Sequence, residues 1–291
     1  MRNVIVRTPF RPEVTMRVQL KSGSELGESR EPGRSNGRQR ALGSGPQFQL
    51  RLLDGFHLDH DGQVMGVPHS VRRLLAFLGV HGRTGRIEIA GTLWPEVVEA
   101  KAHASLRTVL WRLHRLAPGA LVAGREALVL TPAVSVDVSS FVAAARQVLG
   151  GDDAAVGDGS PLPPFTAMGQ LLPGWYEDWV LFERERLRQL HMHALEALAA
   201  RLTKARRYAE AIEAALAAVR LEPLRESATR ALISAYLAEN NVVEAVRRFE
   251  SFRDELTNEL GAQPTPDLER LVRSGLSQTP VYQSQHLRSS P

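Results

Sequence analysis

The residues of this sequence best equipped for chemistry are arginines at helical spacing. Arg107, Arg112 and Arg115, together with Thr108 and Trp111, lie on one side of a segment of about 101–116. At 100° per residue they fall opposite an apolar sector of Ala102, Leu106, Val109, Leu110, Leu113 and Leu116. A guanidinium can bridge O6 and N7 of guanine, and a threonine hydroxyl can contact a base or a phosphate. The small Ala104 near the N-terminal end permits close approach. Such a face is suited to reading a major groove. Trp111 lacks a donor and acceptor scheme for base edges and is assigned to packing, on the backbone or on another strand of the domain. The same face, taken alone, is also consistent with a solvated surface whose arginines pair with Glu96, Glu99 and Glu126. Arg125 sits at the tip of a predicted hairpin, where a wing reaches backbone or minor groove. Arg72 and Arg73, in the second turn of an earlier helix, suit either phosphate or a structural ion pair.

Other chemistries find less support. His57-Leu58-Asp59-His60-Asp61 contains metal-binding residue types, but on a strand His57 and Asp59 share a face while His60 and Asp61 straddle a turn. His191 and His193 point about 200° apart on a helix. No metal site is therefore expected. The chain has no cysteine, which removes disulfides, thiolate nucleophiles and Cys-ligated zinc, and fits a reducing compartment. It contains no Gly-x-Ser-x-Gly and no Gly-x4-Gly-Lys-Ser/Thr loop, and its carboxylates are scattered over helical surfaces. No catalytic residue, no cofactor and no enzymatic activity are expected.

The elements that must position the arginine face follow from length and pattern. A chain of 291 residues accommodates about two domains. No apolar run approaches the ~18 residues needed to span a bilayer, and the N-terminus reads as no secretion signal, so a cytoplasmic protein with no membrane partner is expected. Its 36 basic and 32 acidic residues give a net charge of +4, concentrated toward the front of the chain, which suggests a polyanion-facing part joined to a part facing something else. Residues 1–46 include a Gly/Ser/Arg/Glu stretch with few apolar groups and read as a disordered basic arm, or as residues upstream of the true start.

From 47 to 132 the pattern is that of a compact domain. Phe48, Leu50 and Leu52 alternate with polar residues as in a half-buried strand, and Asp54-Gly55 and Asp61-Gly62 bracket short strands near 56–60 and 63–67. A helix over about 69–81 carries Val71, Leu74, Leu75 and Leu78. A second, over about 86–94, carries Ile87, Ala90 and Leu93 and stops at Trp94-Pro95. The arginine-bearing helix is third, and the runs 120–123 and 127–131 around Gly124-Arg125-Glu126 form a hairpin. Small sheet, three helices and hairpin make a winged helix-turn-helix.

From 133 to 276 the chain is read as all-helical. A helix of about 137–149 uses Phe141, Val142, Ala145 and Val148, residues 150–170 read as a linker, and a long helix starts at Trp175 and Trp179 and runs to about 205. Then a repeat emerges. At an offset of 34, Ala197-Leu198 matches Ala231-Leu232 and Ala209-Glu210-Ala211-Ile212 matches Val243-Glu244-Ala245-Val246. Thirty-four is the tetratricopeptide period, a helical hairpin whose small residues allow close packing. Arg206-Arg207 and Glu239-Asn240 occupy the turns, where Asn240 or Asn241 can take the left-handed conformation. A further helical segment lies near 267–273, and 277–291 reads as a disordered tail. The fold class is mainly α.

The series Leu171-Leu172-Pro173-Gly174-Trp175-Tyr176-Glu177-Asp178-Trp179, Glu183-Arg184-Glu185-Arg186-Leu187, Leu221-Glu222-Pro223-Leu224-Arg225-Glu226 and Glu259-Leu260-Gly261-Ala262-Gln263-Pro264 resembles the bacterial transcriptional activation domain. That domain occurs in the SARP (Streptomyces antibiotic regulatory protein) family. Arg72-Arg73-Leu74-Leu75-Ala76, Ala90-Gly91-Thr92-Leu93-Trp94-Pro95 and Leu106-Arg107-x-x-Leu110-Trp111-Arg112-Leu113 resemble the OmpR-type winged helix of the same family. The hairpin departs from it, reading Gly124-Arg125-Glu126-Ala127-Leu128-Val129-Leu130 where many members end Gly-Tyr-x-Leu. The resemblance implies a small-form, nucleoid-associated regulator that activates transcription by binding direct repeats in double-stranded DNA near a promoter. It also implies protomers side by side as a homodimer or oligomer on DNA, with the helical domain touching RNA polymerase or sigma factor. The competing reading is a tetratricopeptide-type protein-protein adaptor or ligand-responsive regulator whose degenerate winged helix no longer binds DNA.

Overall fold

The computed structural model describes residues 47–151 and 168–278. The arm read over 1–46, most of the 150–170 segment and the tail from 279 onward lie outside the described residues. The order is β1 (Phe48–Arg51), β2 (His57–His60), β3 (Gln63–Val64), α1 (His69–His81), β4 (Thr84–Gly85), α2 (Arg86–Leu93), α3 (Glu99–Leu116), β5 (Leu121–Ala123), β6 (Ala127–Leu130), β7 (Val134–Val136) and α4 (Asp137–Leu149). After these come α5 (Asp178–Lys204), α6 (Tyr208–Leu221), α7 (Glu226–Ala238), α8 (Val242–Leu260) and α9 (Pro266–Gln278). The molecule is mainly helical, with a small-sheet region in front of a helical one. No helix among the described residues is long and apolar enough to cross a membrane.

The first sheet has the order β3-β2-β1-β7. Phe48 and Leu50 are buried while Gln49 and Arg51 are exposed, the period-two alternation of a one-sided strand. Antiparallel pairing sets Phe48 opposite His60, and parallel pairing sets it opposite Val134. The β7 strand was not legible in the sequence, being three residues long and paired across more than 80 residues of chain. Directly behind it, Asp137 opens α4 and accepts hydrogen bonds from the N–H groups of Leu52, Leu53 and Val138 at 2.7–3.0 Å. Burial raises its carboxyl above the ordinary value, and the three N–H donors pull against that rise.

Helix α1 buries Val71, Leu74, Leu75 and Leu78 as its spacing predicts. Helix α2 corrects the sequence reading. Ile87 is 73% exposed, and Ile89 joins Ala90 and Leu93 in the core. At 100° per residue Ile89 lies about 40° from Leu93, whereas Ile87 lies about 120° from it, at the edge of the apolar sector. Helix α3 buries Ala102, Leu106, Val109 and Leu113, with Leu110 and Leu116 half-buried at the edges of that sector.

The helical part is welded to this region. One continuous core cluster runs from Phe48 to Ala235. Phe77 meets Trp179 edge-on at 5.2 Å, Leu53 bridges to Leu171, and Arg184 donates to the carbonyls of Leu171, Leu172 and Trp175.

The repeat shows itself in the turns. Arg206 and Asn240, 34 residues apart, both have positive φ, 61° and 65°. In each turn the next residue closes a six-residue ring, Arg207 N to Leu202 O at 2.9 Å and Asn241 N to Tyr236 O at 2.8 Å. This is the Schellman arrangement, with arginine in one turn and asparagine in the other where glycine is usual. Asn241 then caps α8 by accepting from Glu244 N. Helix α9 runs to Gln278, so residues 277 and 278 continue a helix where the sequence reading placed a disordered tail. Its start is held by Glu226, which accepts from the Thr265 N–H and hydroxyl. Proline at the first helical position costs no hydrogen bond there.

Candidate nucleic-acid interface

Three elements build the site. Helix α3 is seated by its apolar sector, α2 packs against it, and the β5–β6 hairpin lines a concavity with it. Thr84–Gly85 pairs with Leu128–Ala127, which makes β4 the third strand of the hairpin sheet. A two-residue strand leaves no periodic signal, and the sequence reading missed it.

The structure places Arg107, Thr108, Trp111, Arg112 and Arg115 together on the exposed face of α3. The Thr108 hydroxyl donates to Ala104 O at 3.1 Å, which leaves its oxygen free to accept. Of the two packing roles read for Trp111, the one on another strand of the domain is not the one seen: it is 59% exposed, and the Arg115 guanidinium lies over its ring at 4.8 Å. Among the described residues no carboxylate lies within ion-pair distance of Arg107, Arg112, Arg115 or Arg125. Glu99, one of the three partners that would have neutralised this face, is instead 3.5 Å from His103. The carboxylates of Glu96 and Glu126 form no ion pair among the described residues.

Arg125 is at the exposed hairpin turn, as expected. Arg72 and Arg73 belong elsewhere. Arg72 Nε donates to Val67 O at 2.7 Å, and its guanidinium sits 5.8 Å from the Phe56 ring centre. Arg73 pairs with Glu177 at 2.5 Å, joining α1 to the residue before α5. Of the two roles read for this pair, the structure shows the ion pair for Arg73 alone; Arg72 forms no ion pair among the described residues.

One residue that the sequence reading passed over belongs to the site. Arg86, first in α2, donates from its backbone N–H to Glu126 O at 2.9 Å and from Nε to Gly124 O at 3.0 Å, so it grips both sides of Arg125. Between α3 and the hairpin lies a concavity of about 490 Å³ that includes Arg86, Arg107, Trp111 and His114.

No group of three His, Asp or Glu residues suited to a metal occurs among the described residues. In the histidine-rich stretch, Asp59 is bound to Arg51 at 3.0 Å and His60 stacks on Phe48.

Comparison with known proteins adds an independent line. Residues 164–274 match the bacterial transcriptional activator domain family. The regulatory protein AfsR of Streptomyces coelicolor is 28% identical over 274 residues, a match covering 90% of this chain and 27% of AfsR. The chain thus spans about a quarter of that curated relative's length. Mycobacterium tuberculosis EmbR, solved in complex with a low-affinity phosphopeptide, has the same fold with a TM-score of 0.63 at 21% identity, over 81% of this chain and 66% of that one.

Proposed function

We propose that the chain is a regulator of the SARP type, which binds DNA sequence-specifically and activates transcription. The observation that carries this reading is the unpaired guanidinium face. Arg107, Arg112 and Arg115 are exposed on one seated helix with Arg125 on the adjoining turn, and no described carboxylate neutralises any of them. Several cations gathered on one surface create a field that draws a polyanion to it. A helix of 18 residues, about 27 Å long, fits a major groove along its exposed side. In this reading Arg112 and its neighbours read base edges while Arg125 contacts backbone or minor groove.

Protomers bind side by side on direct repeats, and the α5–α9 surface touches RNA polymerase or sigma factor. Helical repeats present extended surfaces for protein contact. The weld between α1 and α5 would fix such a contact relative to the reading helix.

The test is selection of bound duplexes from a random pool by the wild type and by Arg112→Ala. Enrichment of a direct repeat by the wild type, relaxed in the variant, is the expected result. No enrichment by folded protein rejects the reading and favours the adaptor.

A further inference from the structure

The concavity between α3 and the hairpin has walls of two kinds. Leu110, Leu121 and Trp111 supply apolar surface, while Arg86, Arg107 and His114 supply donors. A sugar-phosphate strand has the same mixed character, an apolar deoxyribose alternating with an anion. Arg86 stands out among the donors because it comes from α2, outside the reading face. Its Nε is spent on Gly124 O, and its two Nη groups have no acceptor among the described residues. A guanidinium held by one nitrogen presents the remaining pair as a fixed fork, the geometry that suits phosphate oxygens.

Where a helix occupies a major groove and a hairpin reaches the next minor groove, one strand of backbone must pass between them. The geometry points to this concavity as the seat of that strand, with Arg86 both a phosphate contact and the positioning residue of the wing. The inference rests on the DNA-binding reading above. It assigns one residue two tasks that are separable by experiment: holding the Gly124–Glu126 turn, and meeting a phosphate directly.

The experiment uses the full chain and the duplex enriched by the wild type, with methylphosphonate replacing one phosphate at a time. The wild type, Arg86→Gln, Arg86→Lys and Arg125→Ala are compared by fluorescence anisotropy. At one or two adjacent positions, neutralisation should weaken the wild type by about tenfold and Arg86→Gln by less than about twofold. Arg125→Ala should keep the wild-type sensitivity at those positions, and Arg86→Lys, which retains the charge without the Nε donor, should keep most of it. The slope of log affinity against log salt should fall by about one in Arg86→Gln. The inference is overturned if Arg86→Gln keeps the wild-type pattern at every phosphate, or loses sensitivity only where Arg125→Ala does, since Arg86 would then act through the wing alone. Failure of the wild type to bind any duplex overturns the DNA-binding reading and this inference with it. Wild-type binding with no Arg86-dependent phosphate overturns this inference only.

Discussion

Most arginines of the helical repeat and the arginines of α3 and its neighbouring hairpin turn have opposite surroundings. In the repeat, Arg188 reaches Glu185 and Glu222, Arg225 reaches Glu196, Arg230 reaches Glu226, Arg247 reaches Glu244, and Arg273 reaches Glu269. Most are pairs three or four residues apart on one helix or bridges between neighbouring helices, the arrangement that stabilises helical surfaces. On α3 and the hairpin turn, four arginines lack such partners among the described residues. The same residue type is therefore structural glue in one region and an unspent charge in the other. Counting charge along the chain does not distinguish the two; the distance to the nearest carboxylate does.

That contrast can be broken most sharply at Arg112. Arg112→Ala should lower affinity for the selected duplex by about 10- to 100-fold and relax base preference, with thermal stability changed by less than about 0.5 kcal/mol. Equal binding by the variant would mean that the free face is merely solvated. Arg225→Ala should show the reverse. Glu196, with its side chain only 17% exposed, would keep Ser227 as its hydrogen-bond donor and lose its counter-charge. Unfolding in urea should show a loss of about 1–2 kcal/mol with DNA affinity unchanged.

Arg206→Gly sharpens the comparison within the repeat. A non-glycine residue at φ 61° carries a steric cost that glycine does not. The variant should gain about 0.5–1 kcal/mol in the same urea assay, and Asn240→Gly should gain less because asparagine tolerates this region.

The smallest expected effect is on pH. Burial raises the Glu226 carboxyl, but the Thr265 hydroxyl and N–H, with Arg230, outweigh it and hold the carboxyl below its ordinary value of 4.5. Its stabilising contribution is complete above that value and is lost as pH falls through the lowered one. Melting temperature should drop as pH falls below 4.5, and drop less in Glu226→Gln. An identical drop in both would remove Glu226 from the account.

Much of the fold was legible because helices announce themselves locally. The stripes of α1, α3 and α4, the proline stop after α2 and the 34-residue period need only 100° geometry and turn chemistry. Among the site residues, the α3 face followed from the same rule, and Arg125 from the hairpin pattern. The rest depends on contacts between distant segments. Arg86 was missed because nothing local marks a residue that holds a turn 38 positions away. The exposure of Ile87 and the parallel pairing of β7 with β1 were missed because short elements give too few turns or alternations to fix a face.

The sequence by itself determined which residues share a helix face, where helices stop, and that a 34-residue unit recurs, since backbone sterics and burial of apolar stripes act over a few residues. The tertiary structure alone decided which arginines are free. Arg73 lies beside Glu177 because α1 packs against the start of α5, whereas among the described residues no carboxylate lies within ion-pair distance of Arg107, Arg112 or Arg115. Coulomb attraction depends on distance in space, and distance between elements is set by packing.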